Sequence, residues 1–373
     1  MDFSYTPDQE SLRSLARQIF NDRATPQRLD RIEETGDRID HDLWQELANA
    51  GLLGVAIPEE NGGSGLGLVE LFLVLEEAGR AVAPVPLYPT LVLGALPIAE
   101  FGSEEQKKSL LAGIPGGDTI LTAALAEPQN NNHLSPLTTA TPNEDGWHVT
   151  GTKLCVPAAA AAKVVVVPAR VGDDIALFLV EPGAERVELE PVETTNREIQ
   201  YLMTMDEVAV PQSALLGNVA EGRAQLHWLV QRATTAVCAI QTGVVDRALR
   251  MTAEYVSSRE QFDRPLAAFQ AVSQRAANAY VDTESVRLST MAATWQLSEG
   301  IDADSAVATA KYFASEAAQR VVHAAQHLHG GVGVDVTYPL HRYFIWAKQL
   351  ELTLGSAHHH LLHLGELIAA NPA

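Results

Sequence analysis

The chain has 373 residues, 46% of them hydrophobic and 20% charged, and a formal net charge of −21. That length can bury a large core and predicts two or three domains, while the negative field argues against nucleic acid and anionic membrane as partners. Cys155 and Cys238 are too few and too far apart for a disulfide framework or a thiolate metal site. No apolar run reaches membrane-spanning length. Met1-Asp2-Phe3-Ser4-Tyr5-Thr6 lacks the basic and apolar regions of a signal peptide, so a cytoplasmic protein is expected.

In chain order, residues 8–20 place apolar side chains at helical spacing. Asp40 and Asp42 ahead of Leu43 predict another helix start. Residues 58–65, Pro-Glu-Glu-Asn-Gly-Gly-Ser-Gly, form a glycine-rich loop before an apolar helix at 68–78. The loop reads equally as a phosphate cradle or as a turn entering a buried helix. Residues 147–153, 163–168 and 175–180 are short, β-branched runs bounded by Gly, Pro and Asn, and they predict strands. Gly217 and Gly222 mark a return to long helices. Helix, sheet, helix is an α+β pattern, with expected domains at 1–115, 116–216 and 217–373.

Four stretches in this order resemble the acyl-CoA dehydrogenase family. They are residues 55–65, residues 145–153, Arg259-Glu260-Gln261-Phe262-Asp263-Arg264-Pro265 with Phe269-Gln270, and His327-Leu328-His329-Gly330-Gly331-Val332-Gly333. The resemblance covers essentially the whole chain. It implies an N-terminal helical domain, a middle β-domain, a C-terminal four-helix bundle, FAD as cofactor and an acyl-CoA substrate. The endings around Asp263, Asp335 and residues 339–344 look like actinobacterial subunits that act on steroid side-chain CoA thioesters. There two unlike chains share flavin sites in a heterotetramer. Electron-transfer flavoprotein is the acceptor such a resemblance implies.

The family's reaction needs a carboxylate that takes the α-proton while a hydride leaves the β-carbon for the flavin. Its two usual positions match Leu354 and Gln231 here, and neither side chain is a base. No catalytic residue is therefore assigned to this chain. The family's Thr-Glu-Pro-x-Ala-Gly-Ser-Asp flavin loop reads Ala126-Glu127-Pro128-Gln129-Asn130-Asn131-Asn132-His133. Where the family places Trp-x-Thr-Asn, the chain has Cys155-Val156-Pro157-Ala158, and Pro157 has no N–H to donate. By the same resemblance, Arg259, Gln261, Phe262, Gln270, His327, Gly330 and Gly331 match residues that reach a neighbour's FAD. A guanidinium suits pyrophosphate, and glycines let backbone approach closely. A partner subunit would then supply the carboxylate and the flavin-ring pocket.

Blander readings stand beside these. Arg259 could pair with Glu254 or Glu260, and Gly330-Gly331 could be only a turn. His359 and His363 are four apart on an expected helix, but no third ligand is evident, so no metal is expected. His358 matches a family Gln and could touch flavin weakly. Two other functions remain open: a homomeric enzyme with Glu351 or Glu127 as displaced base, and a non-redox acyl-CoA-binding or stabilising module.

Overall fold

Thr6 and Gln9 exchange two hydrogen bonds, side chain to backbone in each direction, at 3.2 and 2.9 Å. This capping box, with proline in the first turn, starts α1 (Pro7–Arg23). The computed structural model describes residues 4–370; Met1, Asp2 and Phe3, part of the segment weighed as a signal peptide, lie outside them. Then come α2 (Pro26–Glu33) and α3 (His41–Asn49), where the Asp40 carboxylate accepts the Leu43 amide at 3.0 Å. The helices α4 (Leu68–Arg80), α5 (Leu96–Phe101) and α6 (Glu104–Leu110) follow, with wide π-type turns over Tyr88–Ala95 ahead of α5.

The middle of the chain forms β1 (Leu121–Ala123), β2 (Thr139–Pro142), β3 (Gly146–Pro157), β4 (Val164–Val171), β5 (Asp174–Val180), β6 (Val187–Glu193), β7 (Ile199–Pro211) and β8 (Leu215–Leu216). They make one mixed sheet in the order β6-β7-β3-β2-β4-β5-β8, with β1 parallel to β4. The three expected strand runs fall in β3, β4 and β5. Next come α7 (Gly222–Ser258), a small hairpin of β9 (Glu260–Gln261) and β10 (Arg264–Pro265), then α8 (Gln270–Ser298), α9 (Asp304–His329), α10 (Leu340–Leu352) and α11 (Ala357–Ala370). The architecture is the α+β arrangement the sequence predicts.

Contacts divide the chain into two units. One holds residues 32–67 and 84–233; the other holds those up to 31, 68–83 and from 234 on. In the first, Val165, Val167, Phe178, Met203 and Met205 are buried in the sheet core. Trp147 meets Phe178 edge-on at 5.4 Å. In the second, Cys238 of α7, Val286 and Ala293 of α8, and Ala310 and Ala314 of α9 pack together. A glycine lets α7 approach α4 closely: a Cβ at Gly243 would sit 1.9 Å from the Glu76 carbonyl oxygen. The same unit buries charge. Arg13 reaches Glu76 at 2.7 Å and Glu77 at 3.0 Å, Arg17 reaches Glu77 at 2.7 and 2.9 Å, Arg80 binds Glu76, Glu77 and Asp246, and Arg250 and Arg287 also reach Asp246.

Candidate functional site

The glycine-rich loop at 58–65 turns its amides inward. Those of Gly62, Gly63, Ser64, Gly65 and Leu66 go to the carbonyls of Glu59, Pro58, Gly54, Ile57 and Val55 at 2.8–3.1 Å. A Cβ at Gly63 would sit 2.1 Å from the Ile57 carbonyl oxygen, so the glycine serves packing. Its amides are committed to the chain, and the turn reading holds over the cradle.

In the sheet unit, Glu127 is buried and saturated. Its carboxylate accepts from Lys153 Nζ at 2.7 Å, Thr138 Oγ1 at 2.6 Å, and the amides of Thr138 and Leu137 at 2.9 and 2.5 Å. Asn130 Nδ2 adds a fifth donor at 3.0 Å. Burial alone would raise this carboxyl, but Lys153 and the other donors outweigh it and hold it down at about 2. A carboxylate so bound cannot take a proton from carbon near neutral pH. Asn130 and Asn132 also accept amides of their own loop, from Asn132 and Leu134, both at 3.0 Å. β3 slips register between Lys153 and Val156. Within the slip, half-buried Cys155 takes φ 51°, and Ala158 follows at φ 53°. The left-handed region suits Asn better than Ala.

In the helical unit, α10 ends at Leu352, two residues before Leu354. Leu354 is buried, with φ 56°, and its carbonyl accepts the His360 Nε2 proton at 2.9 Å. Burial pushes His360 down to about 3, so the imidazole is neutral. Lys311 Nζ, fully buried, donates to the Leu350 and Glu351 carbonyls, both at 2.9 Å, and to Ser315 Oγ at 3.0 Å. It caps the end of α10, and burial brings its pKa down to about 8. Sequence reasoning missed this residue, because a lysine on a helix reads as a surface cation. The Glu351 carboxylate pairs with Lys348 Nζ at 2.7 Å. Gln231, on the part of α7 that belongs to the sheet unit, is half-buried.

All seven residues matched to a neighbour's flavin are exposed: Arg259, Gln261, Phe262, Gln270, His327, Gly330 and Gly331. Arg259 makes no ion pair among the described residues, and Glu254 pairs instead with Arg247 at 3.3 Å. Phe262 and Asp263 form the tip of the β9–β10 hairpin with φ 56° and 61°. Two left-handed central residues define a type I′ turn, which favours Asn-Gly. Phe262 is 87% exposed, touched by the Phe269 ring edge-on at 6.3 Å.

The nearby glycines differ in what requires them. Gly333 has no room, since a Cβ would lie 2.5 Å from the Gln326 carbonyl oxygen. Gly330 has φ 60° and ψ −136°, open to glycine alone. Gly331 has neither constraint, and a Cβ there would meet nothing within 4 Å. Tyr255 stacks on His329 with centroids 4.4 Å apart, placing the end of α7, four residues before Arg259, beside the start of the glycine turn.

Among the described residues, no group of His, Cys, Asp and Glu could hold a metal ion. His359 and His363 do lie on α11, where His363 faces Glu366 at 3.8 Å and His358 is exposed. No helix of the described residues is long and apolar enough to cross a membrane.

Two matches bracket the sheet. Residues 6–118 match the acyl-CoA dehydrogenase N-terminal domain, and residues 221–368 match the acyl-CoA dehydrogenase C-terminal domain. The chain belongs to the acyl-CoA dehydrogenase family. Acyl-CoA dehydrogenase FadE27 of Mycobacterium tuberculosis is 36% identical over 381 residues, spanning 100% of both chains. Among solved structures, a chain of a Tcur3481-Tcur3483 steroid ACAD variant is 47% identical over 97% of this chain and 98% of that one, with TM-score 0.91. A chain of the ChsE4-ChsE5 complex from Mycobacterium tuberculosis is 37% identical, covers 100% of both and gives TM-score 0.95.

Proposed function

We propose that this chain is one subunit of a heteromeric FAD-dependent acyl-CoA dehydrogenase. It contributes Arg259, Gln261, Phe262, Gln270, His327, Gly330 and Gly331 to a flavin at the interface with a second, acyl-CoA dehydrogenase-like subunit. The observation that carries the reading is Gly331, for which neither backbone nor space within this chain requires glycine. The exposed, left-handed Phe262 points the same way. Both features make sense if another molecule approaches closely.

The residues fit the role. A free, exposed guanidinium offers two parallel donors to pyrophosphate. Phe262 offers an apolar face, and the turn at Gly330 exposes backbone. The chain's own ring pocket does not fit a flavin. Glu127 is saturated, the Asn130 and Asn132 side chains serve their own loop, and Pro157 has no N–H. FAD, when bound, accepts the hydride from the acyl β-carbon. The partner supplies the carboxylate that takes the α-proton, because Leu354 and Gln231 cannot. Neither displaced base is favoured: Glu127 is held at about 2, and Glu351 is paired with Lys348.

The acyl group is a steroid side-chain CoA thioester, the assembly a cytoplasmic heterotetramer, and the acceptor electron-transfer flavoprotein; the chain itself divides into domains at the 115/116 and 216/217 boundaries. Support for the first two comes from the relatives, one of them by name a steroid ACAD and another a two-component complex. The test is Arg259→Ala in the complex co-expressed with a carboxylate-bearing partner. Losing a charge-assisted pyrophosphate contact weakens FAD by about 10- to 100-fold, measured by flavin titration. Unchanged FAD affinity would sink the reading.

A further inference from the structure

We infer that Tyr255, His329 and Tyr338 form a clamp that positions the hairpin bearing Arg259 and Phe262 against the Gly330-Gly331 turn. The inference rests on the shared-flavin reading above and names the residues that hold its two exposed loops in register.

Three rings meet where the loops leave the bundle. Tyr255 lies on the last turn of α7, and its carbonyl accepts the Arg259 amide at 2.8 Å. The Arg259 carbonyl in turn accepts the Leu266 amide at 2.8 Å, closing the hairpin onto the helix end. Across from it stands His329, the last residue of α9 and the one before Gly330, its ring stacked on Tyr255 at an interplanar angle of 22°. His329 is only 3% exposed. Its Nδ1–H donates to the Ala325 carbonyl at 2.7 Å, which fixes the tautomer and leaves Nε2 as an acceptor. The Tyr338 hydroxyl lies 3.3 Å from that nitrogen and donates to it. Burial lowers the imidazole's pKa and favours this neutral form. Tyr338 closes the far end, its ring 6.5 Å from Tyr255 and its carbonyl accepting His341 Nδ1 at 2.9 Å.

The glycine turn is thus pinned on both sides, by His329 before it and Tyr338 after it, while Gly330, Gly331, Val332 and Val334 between them are exposed. A phenylalanine at 329 would keep the stack and lose both polar links. Stacking ties the turn to α7, the Tyr338 hydroxyl bond ties its two ends together, and the bond to Ala325 fixes the ring on α9. His329 therefore positions groups that would touch FAD without touching it.

The experiment uses the co-expressed complex and reads FAD affinity by titration, with assembly and melting as controls. His329→Ala is expected to weaken FAD about tenfold in a complex that still assembles. His329→Gln, which can donate to Ala325 and accept from Tyr338, is expected to restore binding to within about threefold. Should His329→Ala fail to assemble, Tyr338→Phe removes only the hydroxyl, and a loss of about threefold is expected. FAD affinity unchanged in His329→Ala, or in Tyr338→Phe where that variant is needed, while Arg259→Ala weakens it, would overturn the clamp and leave the shared site standing. Failure of His329→Gln to restore binding would reduce His329 to packing and also overturn the clamp. Unchanged affinity in Arg259→Ala would sink the shared site itself.

Discussion

Lys153 and Glu127 are both buried and meet at 2.7 Å. Removing the cation alone strands a carboxylate away from water. Lys153→Met is expected to cost about 3–5 kcal/mol, toward the lower end because Thr138 and Leu137 still donate, and to lower the melting temperature in a thermal scan. Leu354 stands where the family's late carboxylate would be expected. A carboxylate placed there would still face a chain whose Glu127 is saturated by its own donors and whose Pro157 has no N–H. Leu354→Glu in the isolated chain is expected to leave acyl-CoA dehydrogenation undetectable in a dye-reduction assay; turnover would favour a homomeric enzyme. That positions 354 and 231 lack a base was legible in the sequence, because it needs only residue identity. That Glu127 is saturated was not, because its donors lie up to 26 positions away along the chain.

The β9–β10 hairpin shows what a short element withholds. The sequence put Phe262 in a family motif, and the structure adds that Phe262 and its neighbour Asp263 are both left-handed. Asp263→Gly is expected to stabilise the hairpin locally by about 0.5–1 kcal/mol, seen as slower exchange of the Leu266 amide; faster exchange would show the turn is not strained. Long helices and the apolar strands β4 and β5 were readable because their patterns repeat. By contrast β6, Val-Glu-Leu-Glu-Pro-Val-Glu, is half exposed and carries a proline at the sheet edge, so it gives little strand signal. The loop at 58–65 was ambiguous because composition does not say which way amides point.

At the scale of the molecule, buried carboxylates set the acid limit. Burial opposes ionisation at Asp246, Glu77 and Glu127, yet their cations outweigh it; Asp246 and Glu127 are held at about 2 and Glu77 below its ordinary value. Folded values below unfolded ones stabilise the fold above the ordinary carboxylate range and cease to as pH falls toward about 2. Urea midpoints are therefore expected to hold from pH 7 to 5 and to fall steeply below pH 4; a midpoint unchanged at pH 3 would contradict this. Exposed Tyr280, Val281 and Leu288 on α8 and Leu361, Leu362 and Ile368 on α11 leave apolar surface that fits an assembled protein. This chain is expected to hold flavin only with a partner. The direct measurement is FAD per chain, by absorbance, for the chain alone and for the co-expressed complex. Almost none is expected on the chain alone, and about one FAD per pair of unlike chains in the complex. About one FAD per chain in the isolated protein would contradict it.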